Sequence, residues 1–214
     1  VSNEYLNDEF SRLRKLVRRL QIDRWSYDRV VSTYSGRLRR RYEEARVDLE
    51  LGGLLPSDRR IQAFLKAEKF NPLLKPSKPR MIMARGPKYN LALASFLKPL
   101  EHALWQQLKG RSGYGVIPSR QVGKGLNGFE RAALIKAKME EIGGGCVVFE
   151  VDGKSFEAHV TRRDLLDEHS VYKAAFEGKS GYAELCDLLQ TQLVLKGYTT
   201  NGIRFSREGA RASG

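Results

Sequence analysis

Three stretches of this sequence carry residue types that could do chemistry. The first ends on Asp152, at the close of the apolar run Cys146 to Val151 and ahead of Gly153-Lys154-Ser155-Phe156-Glu157. The run reads as a buried strand. A carboxylate at the tip of a central strand has a rigid support and faces a crevice, a frequent setting for a metal ligand. Two-metal phosphoryl transfer uses such carboxylates to hold ions against the attacking and leaving oxygens. A strand-terminal Asp is also an ordinary turn former or helix cap, so Asp152 alone leaves both readings open.

The second stretch is basic. Between Arg59 and Lys88 there are nine Lys and Arg residues and one acid, Glu68. Pro72, Pro76 and Pro79 prevent a helix there and stiffen the loop. Its cations suit a triphosphate or an RNA backbone, although a solvated basic surface would have the same composition. The third is Gly209-Ala210-Arg211-Ala212-Ser213-Gly214, whose small residues let backbone approach a ligand closely or simply form a flexible end.

The elements that must position these stretches follow from spacing. Leu6, Phe10, Leu13, Val17 and Leu20 recur at three and four residues, the stripe of an amphipathic helix with a basic solvated face. Helix is expected again from about Trp25 to Leu49, broken near Tyr34-Ser35-Gly36 and ended by Gly52-Gly53 and Pro56. Ile61 to Lys69 and Met81 to Met83 read as strands. Leu93, Leu97, Leu100, Leu104 and Leu108 mark a further helix. After the glycine-rich stretch 110–128, Asn127 is the expected N-cap of a helix reaching about Glu141, and Gly143-Gly144-Gly145 breaks it. Two more helices are expected, from about Arg162 to Phe176 and from about Gly181 to Lys196. Asn201-Gly202 between two apolar runs signals a hairpin.

Bulk composition narrows the partners. The 214 residues suit one or two domains, and 41% hydrophobic residues is enough for a core. A net charge of +13 points to a polyanion. Nucleic acid is the first candidate and an anionic membrane surface the second, but the cations gather on a proline-rich loop and not on one apolar-backed helix. No stretch approaches the roughly 18 apolar residues of a membrane span. Cys146 and Cys186 are too few and too far apart for a disulfide framework or a zinc site.

Taken in order, these strings resemble the RNA-dependent RNA polymerases of tombusvirus-like viruses over most of the chain. Tyr34-Ser35-Gly36-Arg37 with Arg39, Arg40, Arg41 and Tyr42 resembles that family's segment along the template path. Leu65-Lys66-Ala67-Glu68-Lys69, Lys78-Pro79-Arg80 and Arg85-Gly86-Pro87-Lys88-Tyr89-Asn90 resemble the basic fingers motif lettered F, continued by Leu97-Lys98-Pro99-Leu100-Glu101. Lys124-Gly125-Leu126-Asn127 is similar to a further family string. Asp152 with Phe156-Glu157-Ala158-His159-Val160 resembles palm motif A, and Glu168-His169-Ser170-Val171-Tyr172 follows at the expected distance. Gly209, Arg211, Ser213 and Gly214 resemble the opening of motif B.

The resemblance implies an α+β fold, mostly helical: the fingers of a right-hand polymerase with a partial palm. Fingers would span residues 1–145, the start of the palm 146–162, a helical fingers insertion and hairpin 163–205, and the start of motif B 206–214. Asp152 would be catalytic and bind Mg2+ or Mn2+. The nucleotide would be held by Lys66, Glu68, Lys75, Lys78, Arg80, Arg85, Glu157, Ser213 and Gly214, with Glu68 orienting Arg80 through an ion pair. Arg37, Arg39, Arg40, Arg41, Lys69, Lys124 and Arg211 would contact RNA. The family has Asp five residues after its first motif A Asp. Glu157 stands there, one methylene longer, so its bond to a ribose 2′-hydroxyl needs a shifted backbone or another rotamer.

The implied partners are template and product RNA, nucleoside triphosphates, the remainder of the polymerase and viral replication proteins. The implied location is a membrane-associated replication complex in the host cytoplasm. The chain opens on Val1, closes on Ser213-Gly214 and contains no Asp-Asp pair. The expectation is therefore a polymerase fragment that does not polymerise RNA alone. The alternatives are one half of a split polymerase and a non-catalytic RNA-binding protein.

Overall fold

The computed structural model describes residues 3–69, 79–109 and 120–212. Lys75, Lys78, Ser213 and Gly214 lie outside the described residues, as do Pro72 and Pro76. The first helix, α1 (Asn3–Arg19), turns its apolar stripe inward, with Val17 fully buried and Phe10, Leu13 and Leu16 packed against the core. The second helical stretch is two helices, α2 (Tyr27–Ser32) and α3 (Gly36–Gly52), separated at Thr33 to Ser35 where the Gly-containing step was expected. The Ser26 hydroxyl caps α2 by accepting the Arg29 amide.

Helix α4 (Pro87–Gln107) is the central element. It begins earlier than its leucine spacing suggests, because Pro87 at the first helical turn starts it with φ already set. Leu91, Phe96, Leu100 and Leu104 are buried along it. Phe96 meets Phe176 edge to face, 5.3 Å between centroids. Helix α5 (Gly128–Ile142) has the expected Asn127 cap: Asn127 accepts the Glu130 amide and Glu130 accepts the Asn127 amide. The same reciprocal pair, Thr161 with Asp164, starts α7 (Arg162–Phe176). Helix α7 packs along α1, tied by Arg14 to the Ser170 hydroxyl (3.0 Å) and Arg18 to Glu177 (3.0 Å).

Four strands form one sheet in the order β2-β1-β3-β4, where β1 is Ile61–Leu65, β2 Met81–Arg85, β3 Val194–Thr199 and β4 Arg204–Glu208. The β1–β3 pair is parallel and the outer two pairs are antiparallel. The sheet thus joins the basic motif near residue 65 to the hairpin near residue 201. The fold is mixed α+β and mostly helical.

Three expectations are corrected. Strand β1 stops at Leu65 and not at Lys69; only the Lys66 amide, bonded to the Arg80 carbonyl at 2.8 Å, continues the ladder. Helix α8 (Tyr182–Gln190) stops six residues short of Lys196. Leu185, Leu188 and Leu189 complete its buried face; from Val194 the backbone pairs with β4 instead, and from Gly197 with β1 as well. The run Cys146 to Val151 is not a strand and is not buried. Val147 is 84% and Phe149 82% exposed. An apolar run becomes a strand only where an edge receives its backbone groups, and none of the described strands pairs with it.

Gly197 sits where β3 meets β1. A Cβ there would lie 2.2 Å from the Ile61 carbonyl oxygen and 2.8 Å from the Ile61 Cβ. Backbone cannot rotate away, so the two strands must separate. Gly197→Ala is expected to destabilise the chain by roughly 1–3 kcal/mol, lowering the denaturation midpoint in urea. Gly202→Ala, where φ is +81° but the space is open, is expected to cost less.

Candidate nucleic-acid interface

The basic residues of the first strand pair converge on one acid. Glu68 accepts from Lys66 (2.8 Å) and from both Nε (3.0 Å) and a terminal nitrogen of Arg80. The ion pair expected between Glu68 and Arg80 is present, and Lys66 joins it. Hydrogen bonds from Arg80 and then Lys66 hold the Glu68 carboxyl down to about 2. The carboxylate therefore stays charged and keeps two cations side by side at the open ends of β1 and β2. Each keeps unused N–H donors that an anion could take. Lys69 is exposed beside them.

Arg85 is placed differently. It is only 8% exposed and donates to the carbonyls of Arg59 (3.2 Å) and Thr191 (3.1 Å), lying 4.9 Å from the Tyr89 ring centroid. It closes the end of β2 onto the α8–β3 junction. Two of its nitrogens are thus engaged by backbone carbonyls, which sets Arg85 apart from the exposed Lys66 and Arg80.

Arg37, Arg39, Arg40 and Arg41 are all exposed in the first turns of α3. No acid stands in the first turn of that helix. Cations crowd the positive end of a helix dipole, where they cost stability. An incoming polyanion would relieve that cost.

Around the motif A resemblance the placement is partial. Asp152 and Glu157 are exposed, Asp152 in irregular backbone and Glu157 in the short helix α6 (Phe156–His159). Ala210 and Arg211 donate their amides to the carbonyls of Val160 (2.7 Å) and Glu157 (2.8 Å), so the motif B start lies against the motif A end. The Arg211 side chain pairs with Glu168, which also accepts the Tyr172 hydroxyl. Burial, with Glu168 adding to it, pushes the Tyr172 phenol far above its ordinary value. Arg211 is thus engaged in the fold as well as exposed. Among the described residues, no three His, Cys, Asp or Glu side chains gather to hold a metal ion. Asp152 offers a single carboxylate, so the described residues by themselves do not fit the expected divalent ion.

One cluster escaped the sequence reading. Lys98, Glu101, His102 and Trp105 share a face of α4, and with Trp25, Arg120 and Lys124 they line a cavity of about 370 Å3. Lys124 pairs with Glu101. Lys98 donates to the Thr33 hydroxyl (2.7 Å) and lies 4.2 Å from the Tyr34 ring centroid. Burial lowers the Lys98 ammonium below its ordinary value; Glu101 opposes this and Lys124 adds to it. The i, i+3, i+4, i+7 spacing of 98, 101, 102 and 105 was readable, but Trp25 joins only through tertiary packing.

Residues 3–214 match the sequence model of the family described as viral RNA dependent RNA polymerase. This chain belongs to that family. It is 36% identical over 195 residues to the RNA-directed RNA polymerase of Carnation mottle virus, covering 89% of this chain and 24% of that protein. It is 31% identical over 199 residues to that of Groundnut rosette virus (strain MC1), covering 92% and 23%. It is 31% identical over 192 residues to that of Tomato bushy stunt virus (strain Cherry), covering 89% and 23%. The chain spans about a quarter of the length of these polymerases.

The folded Glu68 carboxyl lies below its unfolded value of 4.5. Its contribution to stability is therefore present above pH 4.5 and lost as pH falls toward about 2. A carbon-detected NMR titration is expected to place the Glu68 midpoint near about 2 in the folded chain, and Arg80→Met is expected to move it back toward 4.5.

Proposed function

We propose that this chain provides the fingers and the first part of the palm of a viral RNA-dependent RNA polymerase. The observation that carries this is the family match along residues 3–214. Fingers would comprise residues 1–145, the palm would begin at 146–162, residues 163–205 would return to the fingers, and 206–214 would open motif B. The return of 163–205 is supported by α7 lying against α1 and β3 pairing with β1.

The reaction of the whole polymerase would be template-directed nucleotidyl transfer. The 3′-hydroxyl of the growing RNA attacks the α-phosphate of a nucleoside triphosphate, and pyrophosphate leaves. Lys66 and Arg80, held together by Glu68, would neutralise the triphosphate as it approaches. The arginines of α3 would hold template phosphates. Glu157 would approach the ribose of the incoming nucleotide. Divalent ions, Mg2+ or Mn2+, would require carboxylates beyond Asp152.

The remainder of the polymerase is the expected covering of two apolar surfaces. Helix α5 buries no residue and leaves Phe129 89% exposed. The run 146–151 beside it is open as well. Such surfaces mark an interaction site. Viral replication proteins and a membrane-associated complex in the host cytoplasm belong to the same proposal. No helix among the described residues is long and apolar enough to cross a membrane.

Two measurements test the proposal. The chain is expected to bind single-stranded RNA with an affinity that falls steeply with salt, and replacing Arg39 and Arg40 by Ala is expected to reduce the log–log salt slope by about 1.4. Grafted in place of the matching segment of the Carnation mottle virus polymerase, the chain is expected to support nucleotide incorporation that Asp152→Asn abolishes while RNA binding persists. Incorporation unaffected by Asp152→Asn would sink the catalytic assignment. RNA binding with no incorporation by the graft would favour a non-catalytic RNA-binding protein.

A further inference from the structure

The cavity on the face of α4 that carries Lys98, Glu101, His102 and Trp105 combines two properties. Its walls include both tryptophans of the chain, Trp25 and Trp105, together with the exposed ring of His102. Its charged lining is Lys98, Arg120 and Lys124 against one acid, Glu101. Aromatic faces accept a flat apolar group, and surplus cations accept an anion. A nucleotide supplies both in one molecule.

The geometry of the rings supports this. Trp25 and His102 stand 6.4 Å apart at 52°, too far apart and too tilted to be stacked on each other. The Arg29 guanidinium covers one face of Trp25 at 4.1 Å. The Trp105 Nε1 is buried and has no hydrogen-bond partner among the described residues. A buried donor without an acceptor costs free energy.

A strand fits better than a free mononucleotide. The cavity wall includes Thr33, and Lys98 bridges from it to the Tyr34 ring. Two residues later α3 begins, carrying exposed Arg37, Arg39, Arg40 and Arg41. The cavity wall therefore leads along the chain into a helix whose first two turns carry four exposed cations. A phosphate backbone following those cations would bring one nucleotide to the aromatic walls.

We propose that this cavity is a binding site for one unstacked nucleotide of a single-stranded RNA, its base against the Trp25–His102–Trp105 walls and its phosphate at Lys98 and Lys124. The proposal rests on the RNA-binding part of the function proposed above and adds a base-reading pocket to the arginine track.

Because both tryptophans line the cavity, intrinsic tryptophan fluorescence of the whole chain reports on it alone. Titration with a ten-nucleotide uridine RNA is expected to quench that fluorescence with the same midpoint as anisotropy of the labelled RNA. Trp25→Phe and Trp105→Phe, which keep aromatic rings in place, are each expected to retain part of the quenching. Lys98→Met with Lys124→Met is expected to weaken binding about tenfold, and so is an RNA of the same length with abasic sites in place of its bases. Anisotropy without quenching, or equal affinity for intact and abasic RNA, would overturn the pocket while leaving RNA binding by α3 intact. Equal quenching by uridine monophosphate alone would overturn the assignment to a strand. No anisotropy change with any RNA would remove the underlying RNA-binding reading itself.

Discussion

A proline inside the central helix organises this chain. Pro99 has no N–H to give to the carbonyl four residues back, so the Ser95 carbonyl inside α4 has no helical partner. The Trp25 amide takes it at 2.9 Å. The Ser95 hydroxyl accepts the neighbouring Arg24 Nε at 2.8 Å. One missing donor thus becomes the attachment point for the loop between α1 and α2. From there Arg24 lies over the Phe96 ring at 4.2 Å and forms a two-nitrogen pair with Glu184 of α8, at 2.7 and 2.9 Å. Helices α4 and α8 and the chain between α1 and α2 are fixed to each other through this residue pair. The pair is partly exposed, so its bidentate geometry positions the elements more than it stabilises them.

The same attachment sets the face of α4 that carries Lys98, Glu101, His102 and Trp105. Trp25 is held where it closes the cavity, and α2, beginning two residues later, carries Arg29 across its ring. The chain then turns at Thr33 and Tyr34 into α3. Lys98, one residue before the proline, reaches both. The aromatic walls and the arginine track therefore have a common mechanical origin. On the opposite side, the sheet performs the equivalent service for the basic strand pair. Gly197 lets β3 approach β1 closely enough for parallel pairing, and that pairing anchors the strands whose ends carry Lys66 and Arg80.

Local pattern made most helices legible. The Asn127 cap, the break before Gly36 and the Asn201-Gly202 hairpin are each decided by chemistry within a few residues of the chain, and each stands where it was expected. Long-range choices were not legible. Val194 to Lys196 extends the apolar spacing of α8, and the availability of β4 as a ladder partner makes it a strand. Cys146 to Val151 has strand composition, yet none of the described strands pairs with it. The Glu68–Arg80 pair was expected from the motif resemblance, and the two residues stand just beyond the paired ends of β1 and β2. The burial of Arg85 was not legible, since the carbonyls that receive it come from residues 59 and 191, far apart in sequence. For Trp25 and Trp105 the sequence shows only two aromatic residues eighty positions apart.

Two features of this chain cost stability without serving the fold. Four arginines crowd the N-terminal turns of α3, where the helix dipole disfavours them, and no described acid pairs with them. Phe129, Val147, Phe149 and Val151 stand open to solvent at 81–89% exposure. A sequence selected for the described structure alone would trade these residues for neutral or polar ones at little cost, because none contributes to its core. Their retention has a physical rationale only if something else meets them. The arginines suit a polyanion and the exposed apolar residues suit more protein, in keeping with the function proposed above. The places where this chain departs from what its own fold requires are therefore the places where its function is most directly written.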